Sequence, residues 1–568
     1  MKKKTNLTNE IFLYSLILFL AVFVRLILLG RTPLTESEAS WAYQAWQIWK
    51  GESISLGSLV SYLSITEGLF SIFGSSDFIA RFWPALAGSL LIWVPYLSRN
   101  SIGRIPALVM ALGLALDPAL VSISRIAGSP VPALVFLLLA GLNFHHTRFS
   151  WSFVFLVLGA FSGPDFWFGA VVLGIVLVVI SSLNYLDLSS YFRSRLQKLD
   201  LKINSSESSV FDFLIPIAFF IVVGSFFFTQ PVGLGAWAAA LPEYFQGWFQ
   251  PSGVGIIKIL GALAIFNPLI LLFGILGFII AWIKDDHIGK ISTVWFVIAL
   301  FLILIYPGRQ TVNLIWVVIP LWISTARELV RLNNLYRSKW FTSSLSGLVA
   351  VLFILNWFTF TGMIFQGGNQ RAFILQLGLI TASLALVIVA MSIVASEWGW
   401  PAAIKSIAVG TAAVLGLYAI ASMSHGAYLR AGDPRSLWTI GTGSGQMDLL
   451  METVSEISIT ETGRWDSIEG AAFNNSPALL WTIRDMKNIQ YFETYNPDIL
   501  APVIITREID NYAVPEDLYR GQDFVLLTKP DWNKVFPDNW ISYIAFREGP
   551  LQKEKIIIWV RNDILSGN

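Results

Sequence analysis

Residues 11–30 read IFLYSLILFLAVFVRLILLG, and this one stretch sets the class of the protein. It is apolar over the roughly 20 residues that a helix needs to cross a hydrocarbon core, with Arg25 as its single charge. Lys2, Lys3 and Lys4 precede it and no small-x-small cleavage site follows, so it reads as an uncleaved first span. Working outward, twelve further apolar stretches follow, near 78–97, 105–123, 131–144, 151–163, 166–183, 213–229, 256–282, 293–306, 312–325, 341–365, 372–395 and 403–424. The expectation is a polytopic α-helical membrane protein of about thirteen spans. Of the 568 residues 55% are hydrophobic and 13% charged, about half the charged share of a soluble domain, so a bilayer must supply the burial that a water-facing core cannot.

The loops carry an orientation. With the N-terminus in the cytoplasm, the inner segments hold seventeen Lys and Arg and the outer loops six, as the positive-inside rule requires. That places residues 425–568 outside, after a transmembrane part covering 1–424 whose first outer loop runs from about 31 to 77. Past His425 the long apolar runs stop. Helix-like stretches at 447–457 and 472–486 alternate with strand-like runs at 502–506, 523–528 and 555–560, which reads as a small extracytoplasmic α/β domain.

Composition also excludes. A net charge of +1 without a basic tract leaves no footprint for nucleic acid, and the absence of cysteine removes disulfides, thiolate metal sites and iron–sulfur clusters. His145, His146, His287 and His425 make no helical ligand spacing, so no metal site is assigned. The sequon at Asn474 has no assigned modification. Tryptophans near span ends, such as Trp282, Trp340 and Trp398, read as interfacial anchors, while Trp237, Tyr244 and Trp248 in an outer loop are candidates for stacking on a sugar or isoprenoid.

The chemistry points to the first outer loop, which opens RTPLTESEASWAYQAW over 31–46. Glu36 and Glu38 stand directly outside the first span, and Ala39, Ala42, Tyr43 and Trp46 recur at the spacing of a helix lying on the membrane surface. Carboxylates at a helix start are favoured by the dipole alone, so that reading stays open beside a catalytic one. Asp117 lies in an apolar run before Pro118, and it is either a functional group or an Asp-Pro helix end. Arg125 and Arg309 fall at outer span ends, as headgroup contacts or as phosphate ligands. Arg25 reads as snorkelling or internally paired.

The first span, the Pro33-Leu34 to Ala45 pattern, Ala80-Arg81 to Gly88, Gly103-Arg104, Leu116-Asp117-Pro118 and Ser124-Arg125-Ile126-Ala127, in this order over roughly residues 20–150, resemble the GT-C membrane glycosyltransferases. More narrowly the chain is similar to bacterial and archaeal relatives of the dolichyl-phosphate-mannose protein mannosyltransferases, glycosyltransferase family 39. The resemblance implies a GT-C-like fold in the plasma membrane. It implies transfer of a mannose-like hexose from a polyprenyl-phosphate donor to an envelope protein, lipid or glycan at the outer face. It implies an acidic pair, usually Asp-Glu, at the catalytic base. Here that pair reads Ser37-Glu38, so only Glu38 carries over, with Glu36 upstream. The site so read has Glu38 and Glu36 as catalytic residues and Asp117, Arg125 and Arg309 as substrate-binding residues, with the polyprenyl-phosphate sugar as donor substrate and a divalent metal left open. The partners expected are membrane lipids, that donor and the acceptor. A translocator of lipid-linked glycans or solutes, or a catalytically inactive GT-C scaffold, are the rival readings.

Overall fold

The computed structural model describes residues 2–565 except 53, 186, 205–207, 338, 366–369, 439–441, 495, 497, 511, 513, 516 and 532–539. Every apolar stretch named above is helical within these residues, but length separates them. Eight helices are long and apolar enough to cross a membrane, and the number rises to ten if two bent pairs each count as one span. Three of the thirteen expected spans are shorter apolar helices, Val131–His145, Phe149–Ala160 and Leu214–Gly224, so the count of thirteen is not reached on length. The bends have a sequence cause. Asp117-Pro118 breaks the pair Arg104–Leu116 and Pro118–Ser124 by 50°, and Asn267-Pro268 breaks Ile256–Phe266 and Pro268–Ile283 by 93°. Proline removes a backbone donor and disfavours the helical conformation at the residue before it.

The centre of the bundle is the helical stretch Thr311–Asn333, of which 83% of the apolar window is buried. Trp316 and Trp322 fill the space around it, and neighbouring helices approach through glycines: a Cβ on Gly169 would lie 2.0 Å from the Trp316 ring, and one on Gly113 2.2 Å from that of Trp322. Small residues at helix contacts are how bundles pack where the bilayer offers no hydrophobic drive between helices. At the edge, Trp340–Ile364 and Gln370–Trp398 are apolar on nearly all sides and only 6% buried, which is the pattern of helices facing lipid.

Four helices build the rim of the bundle that carries the sheet unit: α1 (Lys2–Leu26), α2 (Glu36–Lys50), α3 (Val60–Phe73) and α4 (Asp77–Ser89). The last long helix, Trp400–Ser424, runs through a π turn at His425–Leu429 into a mixed six-stranded sheet. Its strands are β1 (Gly443–Ser444), β2 (Glu469–Ala472), β3 (Asn488–Tyr491), β4 (Val503–Arg507), β5 (Tyr519–Pro530) and β6 (Leu551–Arg561), in the order β1-β5-β6-β4-β2-β3. β2 runs parallel to β3 and β4, and the other pairings are antiparallel. The sheet unit sits on the rim. Its short helix Pro477–Thr482 packs on α2, Trp481 stacks on Phe70 and donates to Asp77 at 2.7 Å, and Arg484 lies over the Trp481 ring and donates to the Ser75 carbonyl. Leu34, Ala42 and Leu63 of the loop share one apolar cluster with Met447, Leu479 and Ile505 of the sheet unit.

Candidate functional site

The site begins at the cap of α2. Thr35 is the N-cap in extended conformation, and Thr35 with Glu38 forms a capping box, in which each side chain meets the other's backbone. The Glu38 carboxylate is 2% exposed and accepts five hydrogen bonds. Oε2 takes the Thr35 amide and hydroxyl, each at 3.0 Å, and Arg81 Nη2 at 2.8 Å. Oε1 takes Arg81 Nε at 2.7 Å and the Ala127 amide at 3.0 Å. Gly128 makes the last contact possible: at φ 72° it turns the chain where a Cβ would lie 2.5 Å from the Trp41 indole. Burial alone would raise the pKa of Glu38, but the Arg81 charge, the Arg81 hydrogen bonds and the two amides outweigh it and hold the carboxyl below its ordinary value.

Arg81 is the second half of this unit. From the second turn of α4 it also donates to the carbonyls of Leu29, Thr32 and Pro33, so one guanidinium fixes the end of α1, the start of α2 and the carboxylate beside them. Sequence reading placed Arg81 in the motif but gave it no role. Its position in the Ala80-Arg81-Phe82-Trp83-Pro84 stretch, near a helix start and following a loop with two carboxylates, was the available signal.

Glu38 and Arg81 wall a partly open cavity of about 50 Å³, together with Thr32, Thr35, Ser122 and Arg125. The segment Gly426 to Trp438, which leads from the last helix to the sheet unit, forms its other side. Arg125 is 7% exposed, donates to the carbonyls of Val24, Arg25, Ile27 and Leu28, and lies 4.9 Å from the Tyr428 ring. Of the five residues expected at the site, Glu38 and Arg125 line this cavity.

The other three are held elsewhere. Glu36 turns to the sheet unit, accepting from the Ser476 hydroxyl at 2.7 Å and the Ala478 amide at 3.3 Å. Burial raises its pKa against those two bonds. Asp117 is 1% exposed and caps the Pro118–Ser124 helix through the Leu120 amide, while its other oxygen takes Trp322 Nε1 at 2.8 Å and Asn267 Nδ2 at 2.7 Å. It therefore ties both helix breaks to the central helix. Arg309 donates to the carbonyls of Val254, Leu304 and Tyr306. Arg25 is fully buried, bonded to Ser124 and to the carbonyls of Ala21, Leu114 and Ala115. Tyr244 and Trp248 gather around Tyr306, and Trp237 packs on Phe161 and Phe220. The sequon Asn474 is 8% exposed and its side-chain oxygen accepts from the Ser476 amide, beside the seam with α2.

No family model and no curated protein matches the chain. Among solved structures it is similar to ArnT from Cupriavidus metallidurans bound to undecaprenyl phosphate, at 12% identity and a TM-score of 0.49, covering 96% of this chain and 97% of that one. The apo state of the same protein gives 13% identity and the same score, covering 97% and 98%. An Archaeoglobus fulgidus oligosaccharyltransferase in complex with zinc and sulfate is similar at 12% identity and a TM-score of 0.32, covering 84% of this chain and 62% of that one. At these identities and scores the likenesses assign no activity to the chain.

Proposed function

We propose that this protein is a GT-C-type membrane glycosyltransferase that moves a hexose from a polyprenyl-phosphate donor to an envelope acceptor at the outer membrane face. In this reading the N-terminus is cytoplasmic, the helical part spans 1–424 and residues 425–568 form an outer domain. The observation that carries it is the cavity directly after the first span, where a buried carboxylate and two buried arginines meet under the segment Gly426 to Trp438. A hydroxyl or amide acceptor needs a base, and a lipid phosphate leaving group needs positive charge. Glu38 would take the acceptor proton as the new bond to the sugar C1 forms. The bond from C1 to the phosphate oxygen breaks on the opposite side, and polyprenyl phosphate leaves toward Arg125. To act so, Glu38 must exchange one Arg81 hydrogen bond for the acceptor. Glu36 supports the base by fixing α2 to the sheet unit, and Asp117 and Arg309 support the site through the helices they hold. Loss of the protein from cells should accumulate a polyprenyl-phosphate sugar, read by mass spectrometry of the lipid fraction. An unchanged lipid fraction and unchanged envelope glycans would remove the proposal.

A second reading, an inactive scaffold of the same architecture, is favoured by one observation: both Glu38 oxygens are fully engaged while Ser37 stands where the resembling family carries its first acidic residue. Donor-dependent transfer at any measurable rate excludes it.

A further inference from the structure

A larger cleft lies at the opposite end of the bundle from Glu38. Its volume is about 410 Å³, and it opens between the turn that joins Trp93–Ile102 to Arg104–Leu116, the end of Pro268–Ile283, the start of His287–Ile305 and the end of Ile315–Asn333. The first helix fixes which end this is. Arg104, two residues before the lining Pro106, pairs at 3.6 Å with Glu10 in the first half of α1, whereas the Glu38 cavity lies past the end of α1. Three cations line the cleft, Lys284, Arg327 and Arg331, against two carboxylates, Asp286 and Glu328. Both carboxylates are already committed: Arg327 holds the two oxygens of Asp286 at 2.5 and 2.8 Å, and Arg331 holds the two of Glu328. Glu328 is buried while the Arg331 side chain keeps 30% of its exposure, so the accessible partner of that pair is the cation. Lys284 is exposed and has no partner among the described residues. Its neighbour Asp285 is paired with Lys290.

The chemistry of this lining narrows the ligand. Arg327 Nε and Arg331 Nη1 also lack an acceptor among the described residues, and with the Lys284 ammonium they suit a phosphate, which accepts several charge-assisted hydrogen bonds at once. A single water needs roughly 10–15 Å³ of such space, so about 410 Å³ holds a phosphate with the glycerol esterified to it. The mouth is apolar. Ile102, Pro106, Ile280 and Val330 share the lining with the cations, and Ile105 and Ile283, next in the chain to Pro106 and to Lys284, are 62% and 76% exposed. A basic pocket between membrane helices with such a rim suits a lipid headgroup, since a soluble phosphate would leave the isoleucines in water. We propose that this cleft binds the phosphate headgroup of an anionic phospholipid, with Lys284, Arg327 and Arg331 on the phosphate and the acyl chains along Ile105 and Ile283. In the orientation proposed above the lipid belongs to the inner leaflet. Because the cleft joins the helix after the Asn267-Pro268 bend to the central one, a bound headgroup ties those elements together at the end away from Glu38. The proposal needs only a membrane-spanning chain and stands apart from the glycosyltransferase reading.

The test uses the full chain in a neutral detergent and follows bound lipid by native mass spectrometry as phosphatidylglycerol, phosphatidylcholine or glycerol 3-phosphate is added. Phosphatidylglycerol should fill one site, with phosphatidylcholine weaker by about tenfold or more because its headgroup cation meets those of the cleft. Lys284→Glu should weaken phosphatidylglycerol by about tenfold or more, the scale of a hydrogen bond to a charged group. Since Lys284 is exposed and unpaired, the variant should keep the wild-type thermal midpoint without lipid, which separates lost binding from lost fold. Saturating phosphatidylglycerol should raise the midpoint of the wild type and not that of Lys284→Glu. Arg193→Glu makes the same change in net charge on the exposed helix Leu188–Asn204, outside the cleft, and should leave binding unchanged. Glu328→Gln with Arg331→Gln removes a buried carboxylate together with its cation and should weaken binding as Lys284→Glu does. Equal affinity for the two phospholipids, wild-type affinity in Lys284→Glu, or equal losses in Lys284→Glu and Arg193→Glu overturns the site. Glycerol 3-phosphate binding as tightly as phosphatidylglycerol overturns the assignment to a lipid and leaves a site for soluble phosphate.

Discussion

The rim under the sheet unit and the sparsely buried apolar pair Trp340–Ile364 and Gln370–Trp398 solve the same problem, burial, by opposite means. In the pair the apolar side chains have almost no protein around them, and their type alone suits them to hydrocarbon. At the rim, charged groups are buried among protein, and each is stable only because a partner stands at hydrogen-bond distance. Glu38 with Arg81, Asp117 with Trp322 and Asn267, and Arg25 with four acceptors are all of this kind. The lipid face is therefore tolerant of apolar change, and the rim is not.

The contrast is sharpest at the ion pair. Arg81→Met leaves Glu38 buried without its counter-charge, and it should cost about 3–5 kcal/mol, read as a fall in thermal midpoint or loss of folded protein from detergent extracts. Adding Glu38→Gln should restore part of that loss, since a neutral amide no longer needs the guanidinium. A smaller effect belongs to Asp117→Ala, which strands the Trp322 indole, the Asn267 amide and the Leu120 N–H and should cost about 2–3 kcal/mol by the same measurement. At the other end, Ile388→Ala on the lipid face, 63% exposed, should stay within about 0.5 kcal/mol. A lipid-face cost equal to that at Arg81 would erase the distinction between the two regions.

Between these extremes lies a pH effect of opposite sign at two carboxylates on one helix turn. The pKa of Glu38 is depressed, so its stabilisation is present above the ordinary carboxylate value and is lost as pH falls through the depressed one. The pKa of Glu36 is raised, so its contribution is present below the ordinary value and is lost as pH rises through the raised one. Hydrogen exchange at Ser476 to Trp481 should thus be slower near pH 4.5 than at pH 7 relative to the intrinsic rate, and Glu36→Gln should flatten that difference.

The membrane class, the positions of the helices and the strands β4, β5 and β6 were readable from the sequence because each rests on a local signal: apolar length, a proline, or a β-branched run. The Asp117-Pro118 break was readable for the same reason. The helix α3 was not anticipated, since Val60–Phe73 contains Glu67 and four serines and threonines and is too short to span; its burial comes from packing against α2, α4 and the Leu214–Gly224 segment. At the site, Glu36 and Glu38 looked alike two residues apart, yet a helix turns about 200° between them. One therefore faces the sheet unit and the other the cavity. Ser122 and Arg125 are neighbours at one helix end, but Trp438 joins them only because the bend at Asp117 and the π turn after Ser424 carry distant segments to the same place, and no local pattern records that.

The most direct test of the account is sugar transfer by purified, reconstituted protein given a labelled polyprenyl-phosphate hexose and an envelope extract as acceptor, wild type beside Glu38→Gln. The account predicts release of polyprenyl phosphate by the wild type, with the variant slower by about 100-fold or more while still folded and still binding the lipid. Equal turnover by a folded Glu38→Gln protein would contradict the carboxylate mechanism, and no turnover by the wild type with any donor sugar would contradict the enzyme.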